Sequence, residues 1–356
     1  MKLIYPLNVK NEFIFNSSPR DFTVEEIPLY EFSGEGEHLV VKVRKKDMTT
    51  WEMLDVISNH IGINRREIGY AGLKDKNAMT IQNISIPAKF QEQIEAFSHD
   101  KIKILSSIRH NNKIRVGHLK GNRFNIRLKK VLGVQKDKLD SVLKWIKANG
   151  VPNYFGNQRF GTDGNNWEDG KKIIDGELKI RDRKKREFLV NSYQSYLYNS
   201  WLCKRMELNL LLEKFTEEEC EQVLQLPQGS LKNTKSQPNF FKILEGDVMM
   251  HYPYGRVFFV ENIEEEAQRF ETRDIAPTGL LSGKRAKQAQ SVAGIMEKPF
   301  IEAIPADGTR RYAWIKVSEI TKNYVEEKAH YELSFILPKG CYATNVLDIL
   351  RGGAIK

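Results

Sequence analysis

Gly69-Tyr70-Ala71-Gly72-Leu73-Lys74-Asp75-Lys76-Asn77-Ala78-Met79-Thr80 is a polar loop set between two extended stretches. Residues 68–70 read as a short extended piece before it, and residues 80–86 read as a strand after it. A polar loop held on a rigid scaffold is a common site of chemistry. Asp75 stands between Lys74 and Lys76, and cations beside a carboxylate favour its ionised form. An ionised, positioned aspartate can serve as nucleophile or base. By spacing alone, the same Lys-Asp-Lys triplet reads first as an ordinary surface turn.

Outward from this loop the pattern is mixed. Residues 38–44 alternate, with Leu39, Val41 and Val43 on one face. Thr49 and Glu52 form a capping box. The helix behind it is expected to bury Trp51, Leu54, Ile57 and Ile61 and to end at Gly62. In the strand over residues 122–128, Asn122, Phe124, Ile126 and Leu128 share a face, opposite Arg123, Asn125 and Arg127. A helix is predicted over 136–149, then an Asn/Gly/aromatic loop over about 150–170. A second helix spans 188–202, with Leu189, Tyr193, Leu197 and Trp201 on its buried stripe. Its tyrosines Tyr193, Tyr196 and Tyr198 read as core or rim groups at that spacing. Near the end, Tyr331, Leu333 and Phe335 share a strand face, Pro338-Lys339-Gly340 turns the chain, and residues 343–350 read as a short helix.

Composition narrows the function classes. The chain has 356 residues, 40% of them hydrophobic and 29% charged, enough for a sizeable core in one large or two ordinary domains. It has no apolar run of membrane-spanning length, and its first residues lack the apolar core of a signal peptide. A cytoplasmic location without a membrane partner is expected. Cys203, Cys220 and Cys341 are far apart and form no CxxC pair, which excludes a zinc ribbon and a disulfide framework. The seven histidines are scattered, and HExxH, GxGxxG and GxSxG are missing. The stretch Gly279-Leu280-Leu281-Ser282-Gly283-Lys284-Arg285 is one residue short of a P-loop. Metal and nucleotide cofactors are therefore not expected.

Net charge is +10, which suits a polyanionic partner. Residues 101–130 hold ten Lys or Arg and no Asp or Glu, with a second basic cluster at 181–186. Acidic residues gather at 217–219 and 264–266. Such segregation fits one phosphate-facing surface.

Three segments, in order, carry a resemblance. Ala71-Gly72-Leu73-Lys74-Asp75-Lys76 resembles the signature loop of the TruD family of tRNA pseudouridine synthases. Lys120-Gly121-Asn122-Arg123-Phe124 resembles its G-N-x-F strand, and Pro152-Asn153-Tyr154-Phe155-Gly156-Asn157-Gln158-Arg159-Phe160-Gly161 resembles its N-Y-F-G-x-Q-R-F-G loop. Weaker matches include Asp21-Phe22-Thr23-Val24-Glu25-Glu26, Pro277-Thr278-Gly279 and Leu337-Pro338-Lys339-Gly340-Cys341-Tyr342. The likeness spans nearly the whole chain.

The resemblance implies an α+β fold: a central, largely antiparallel mixed sheet flanked by helices, formed by residues 1–149 and 304–356, with an inserted α/β domain over 150–303. It implies isomerisation of a tRNA uridine, typically uridine 13 of the D-arm, to pseudouridine. Asp75 would be the catalytic carboxylate. Phe22, Asn122, Phe124 and Tyr342 would line the base pocket, and Lys74, Lys76, Arg115, Lys120 and Arg159 would support the site or the RNA. No cofactor or metal is implied, and a monomer is expected. The chain departs from the family pattern at Tyr342, where many members have Phe, and at Asn16, where some carry Lys. If the resemblance holds, Phe22, Asp75, Asn122, Phe124 and Tyr342 should surround one pocket. The rival readings are an RNA-binding protein without catalysis on the same scaffold, and a metal-dependent hydrolase or nuclease.

Overall fold

The fold is that of a computed structural model, which describes residues 2–161, 163–252 and 255–353. The chain forms two compact units, one of Glu12–Asp140 and Val317–Cys341, the other of Met1–Asn11, Ser141–Lys316 and Tyr342–Lys356. Their seams lie at Asp140/Ser141 and Lys316/Val317, not at the expected 149/150 and 303/304. The unit holding the middle of the chain also takes in both termini.

The first unit is built on an eight-stranded sheet. Its strands are β1 (Phe22–Pro28), β2 (His38–Lys45), β3 (Gly69–Tyr70), β4 (Met79–Pro87), β5 (Ile102–His110), β6 (Leu119–Lys129), β7 (Ser318–Val325) and β8 (His330–Pro338). The order is β7-β8-β6-β1-β4-β2-β5, with β3 added to β4. Only the β1–β4 pair is parallel, so the sheet is the expected largely antiparallel one. Side chains alternate between its faces. Leu39, Val41 and Val43 of β2 and Ile84 and Ile86 of β4 bury one face against Met53, Leu54 and Ile57 of the helix Thr50–Ile61.

That helix carries both expected caps: the reciprocal Thr49–Glu52 box and Gly62 in the left-handed region. Its stripe differs at one end. Trp51 is 41% exposed, with Tyr70 at its edge and Arg65 over its ring. Steps of three residues fall short of a full turn, so 51–54–57 drifts off the core face, whereas Thr50, Leu54, Ile57 and Ile61 stay on it. Gly69 and Gly121 are places where only glycine fits. A Cβ at Gly69 would strike the Ile114 carbonyl, and one at Gly121 the Leu337 carbonyl.

In the second unit the predicted 188–202 helix is the core of a longer one, Arg183–Lys214, capped by Asp182. Leu189, Tyr193, Leu197 and Trp201 are buried as expected, and burial continues to Leu212. Arg205, 1% exposed, holds Asp247 through two hydrogen bonds. Four antiparallel strands, Thr309–Tyr312, Ile275–Leu281, Val248–His251 and Val257–Phe259, form a sheet in that order. Gly279 of this sheet lies against the Trp201 ring. The loop expected over 150–170 is more regular than its composition suggests: Val151–Pro152 pairs with Trp314–Ile315, and Asn166–Ile174 is a helix.

Candidate active site

The inner face of the sheet is apolar except along adjoining rows of its middle strands. There Asn122 (β6), Glu26 (β1), Thr80 and Gln82 (β4) and Lys45 (β2) stand at inward positions. Register sets Glu26 opposite Asn122, Thr80 opposite both Val24 and Lys45, and Gln82 opposite Val43. Burying polar groups without partners is costly, and the 71–78 loop supplies most of the partners. Thr50 Oγ1 accepts from the Lys74 backbone N–H at 2.9 Å and donates to Gln82 at 3.1 Å. Gln82 reaches the Gly72 carbonyl at 3.5 Å. Lys45 Nζ donates to the carbonyls of Met48 and Asp75 at 2.7 and 2.9 Å. Lys74 Nζ meets Glu26 Oε2 at 2.8 Å, both side chains being at least 95% buried. The loop backbone is thus fixed from beneath while Leu73, Asp75, Lys76 and Asn77 face outward.

These contacts gather the predicted residues of this unit. The loop enters β4 at Met79, opposite Thr23, so Phe22 adjoins its end. Ser17 Oγ also donates to the Asn77 carbonyl. Phe22 and Phe124 stack with centroids 6.2 Å apart and planes 8° off parallel. Asn122, two residues along β6, stands across from Glu26 and hence beside the Lys74–Glu26 pair. Its Oδ1 is buried without a partner, as is Thr80 Oγ1. Phe22 and Phe124 are only 7% and 5% exposed, and Phe124 also packs on Phe335. They are core rings.

The electrostatics correct the sequence argument. Although the Asp75 residue is exposed, the protein packed around its carboxyl partly desolvates it, and the net effect is upward: this desolvation raises its pKa, while Lys45 and Lys74 oppose without cancelling. Lys76, expected to flank it, instead lies 3.8 Å from Glu52 in an exposed pair. The missed cation is Lys45. Its signal was in the sequence, because it continues the Leu39, Val41, Val43 face at the same period of two.

The basic stretch is likewise only partly free. Its missing acids come from elsewhere: Arg123 pairs with Glu319, Arg127 with Glu332 and Asp21, and Lys129 with Asp21. Lys113 donates to the Arg66 carbonyl. Arg115, at the β5–β6 turn, and Lys120 are exposed and carry no ion pair among the described residues.

Tyr342 and Arg159 belong to the second unit. There Arg311 lies over Phe155 at 4.0 Å and over Tyr342 at 5.5 Å. Arg159 also lies over Phe155, and its Nε donates to Ser195 Oγ at 3.0 Å. Burial lowers the Arg159 pKa. Asn153, 1% exposed, clasps this region: its Nδ2 donates to the Tyr312 carbonyl and its Oδ1 accepts from Arg311. Phe155 and Asn199 exchange a reciprocal pair of hydrogen bonds. Asn199 and Arg311 escaped the sequence analysis, since nothing in their spacing marks them, and Asn153 enters it only as part of the matched loop, without a role of its own.

Among the described residues no group of three His, Cys, Asp or Glu side chains is placed to hold a metal ion, and no helix is long and apolar enough to cross a membrane.

Comparison with known proteins gives the family and the fold. The family model described as tRNA pseudouridine synthase D matches residues 13–181 and 178–349. A tRNA pseudouridine synthase D of Wolinella succinogenes is 52% identical over 100% of this chain and 99% of its own length. The proteins of that name from Sulfurimonas denitrificans and Helicobacter pylori strain J99 are 51% and 46% identical, over 95% and 99% of this chain and 94% and 96% of theirs. In fold, the chain matches a crystal structure of a Methanosarcina mazei protein assigned to the same family, with a TM-score of 0.71 at 21% identity, covering 98% of this chain and 95% of that one.

Proposed function

Since this chain belongs to the TruD family of tRNA pseudouridine synthases, we propose that it isomerises uridine to pseudouridine in tRNA, at uridine 13 of the D-arm, with Asp75 as the catalytic carboxylate. The observation that carries this reading is the Asp75 loop. An aspartate is presented outward on a backbone pinned by Lys45, Thr50, Gln82 and the Lys74–Glu26 pair. A surface turn needs no such foundation.

The reaction breaks the C1'–N1 bond, turns the uracil, joins C1' to C5 and moves the C5 proton to solvent while N1 gains one. It is neutral in atoms and electrons, so no cofactor or metal enters the scheme. Cleavage develops positive charge on the ribose, which a carboxylate can stabilise or capture. Asp75 either attacks C1' or removes a ribose proton. The base must leave its stack to be reached. Asn122, whose buried Oδ1 lacks a donor, fits the uracil N3–H. Phe22 and Phe124 are the candidate base-contacting rings of the sheet unit, and Tyr342 is a candidate stacking ring of the other. Lys120, Arg115 and Arg159 are the candidate phosphate contacts. The sheet unit is read as the catalytic domain and the middle of the chain as the inserted one, in a cytoplasmic monomer.

The test is tritium release from tRNA labelled at C5 of uridine, with chelator present. Wild type should release tritium and Asp75→Asn should not. Release by Asp75→Asn would remove Asp75 from the chemistry. No release by wild type, with tRNA still bound, would leave an RNA-binding protein.

A further inference from the structure

Lys45 is fully buried at the end of β2, where the strand pattern calls for an apolar residue. A buried lysine needs a reason, because desolvation disfavours its charge. Its Nζ joins two segments distant in sequence, the Met48 carbonyl that leads into the helix Thr50–Ile61 and the Asp75 carbonyl itself. Among the described residues no other side-chain bond reaches the backbone of the aspartate.

Its charge is also distinctive. Lys74 is neutralised by Glu26 at 2.8 Å. Lys76 and Glu52 pair with each other. Among the described residues Lys45 forms no ion pair, so of the two cations whose charge acts on the Asp75 carboxylate, Lys45 and Lys74, it is the one not already paired. We propose that Lys45 is a positioning residue for Asp75: it fixes the backbone at the aspartate and places a buried cation without an ion pair at the base of its loop. This rests on the assignment of Asp75 to catalysis. Burial draws the Lys45 pKa down to about 8, leaving the side chain mostly charged at neutral pH.

The experiment compares Lys45→Met, Lys45→Arg and Asp75→Asn in the full-length protein, by kcat, tRNA Kd and the acid limb of kcat against pH. Lys45→Met should lower kcat about 100-fold, the scale of a small misplacement of a reacting group, and leave Kd within about twofold. Its acid limb should move to higher pH, because a cation that favours the ionised aspartate is gone. Lys45→Arg should recover kcat to within about tenfold of wild type. Unchanged kcat and acid limb in folded Lys45→Met, beside inactive Asp75→Asn, would overturn the proposal alone. Activity in Asp75→Asn would overturn the catalytic assignment beneath it. If Lys45→Met does not fold, Lys45→Gln, which keeps a donor for the two carbonyls and loses the charge, decides: a lowered kcat with the acid limb moved to higher pH and tRNA still bound supports the cation, and a wild-type kcat and limb refute it.

Discussion

The two loops that carry the chain's strongest motifs are built in opposite ways. Around Asp75 the side chains face outward and the backbone is pinned by buried polar groups; Leu73 is 59% exposed. Around Asn153 the side chains themselves are buried: Asn153, Tyr154, Phe155 and Phe160 are all at most 8% exposed. Asn153 and Asn199 hold the local backbone of that second loop. A recognisable motif therefore marks constraint, and only burial tells whether the constraint serves chemistry or packing.

The sharpest way to break this contrast is Asp75→Asn. Turnover should fall to background with tRNA affinity within about twofold, and the variant should be more stable than wild type at neutral pH. The sign follows from the raised pKa. The fold disfavours the ionised form, so the cost is absent below the unfolded pKa and grows as pH rises towards the folded one. Thermal melts at pH 7 should show a higher Tm for Asn, and melts at pH 3 should show little difference. Asn153→Ala should do the reverse. It removes the side-chain bonds to the Tyr312 carbonyl, Arg311 and Asn345, while Tyr198 still reaches Tyr312 and the Asn153 carbonyl still accepts from Arg311, and should lose about 2 kcal/mol in denaturant unfolding, with kcat nearly intact well below Tm.

A smaller effect concerns pH. Asp75 should titrate above the ordinary 3.8, so with Asp75 in the proposed role kcat should rise with pH through a midpoint higher than that value. Stopped-time tritium release across pH 4–7 reads it. Smallest of all, Lys76→Ala should leave kcat within about twofold and stability within about 0.5 kcal/mol, since its pair with Glu52 is solvent-exposed. A large loss there would return Lys76 to the site and blur the distinction between the two cations beside Asp75.

Much of this was legible beforehand. The alternation of Leu39, Val41 and Val43, the Thr49–Glu52 box and the shared face of Asn122 and Phe124 are local, one-dimensional signals. They set element types, and the ordered motifs set the family. Even the polar floor had a trace, as Lys45, Gln82 and Glu26 fall on strand faces otherwise apolar. What misled was adjacency. Lys76 is next to Asp75 in the chain but turns to Glu52, and residues 101–130 contain no acid but meet Asp21, Glu319 and Glu332 across the sheet.

By itself, then, the sequence determined the strands and most helices, their inward faces, the membership in TruD and the aspartate to suspect, because periodicity and turn chemistry act over a few residues. Tertiary structure alone decided which charges remain unpaired, which way the Asp75 carboxyl is shifted and which motif residues are scaffold. Those properties depend on groups brought together from strands far apart in the chain, and on how much water the packing leaves around them.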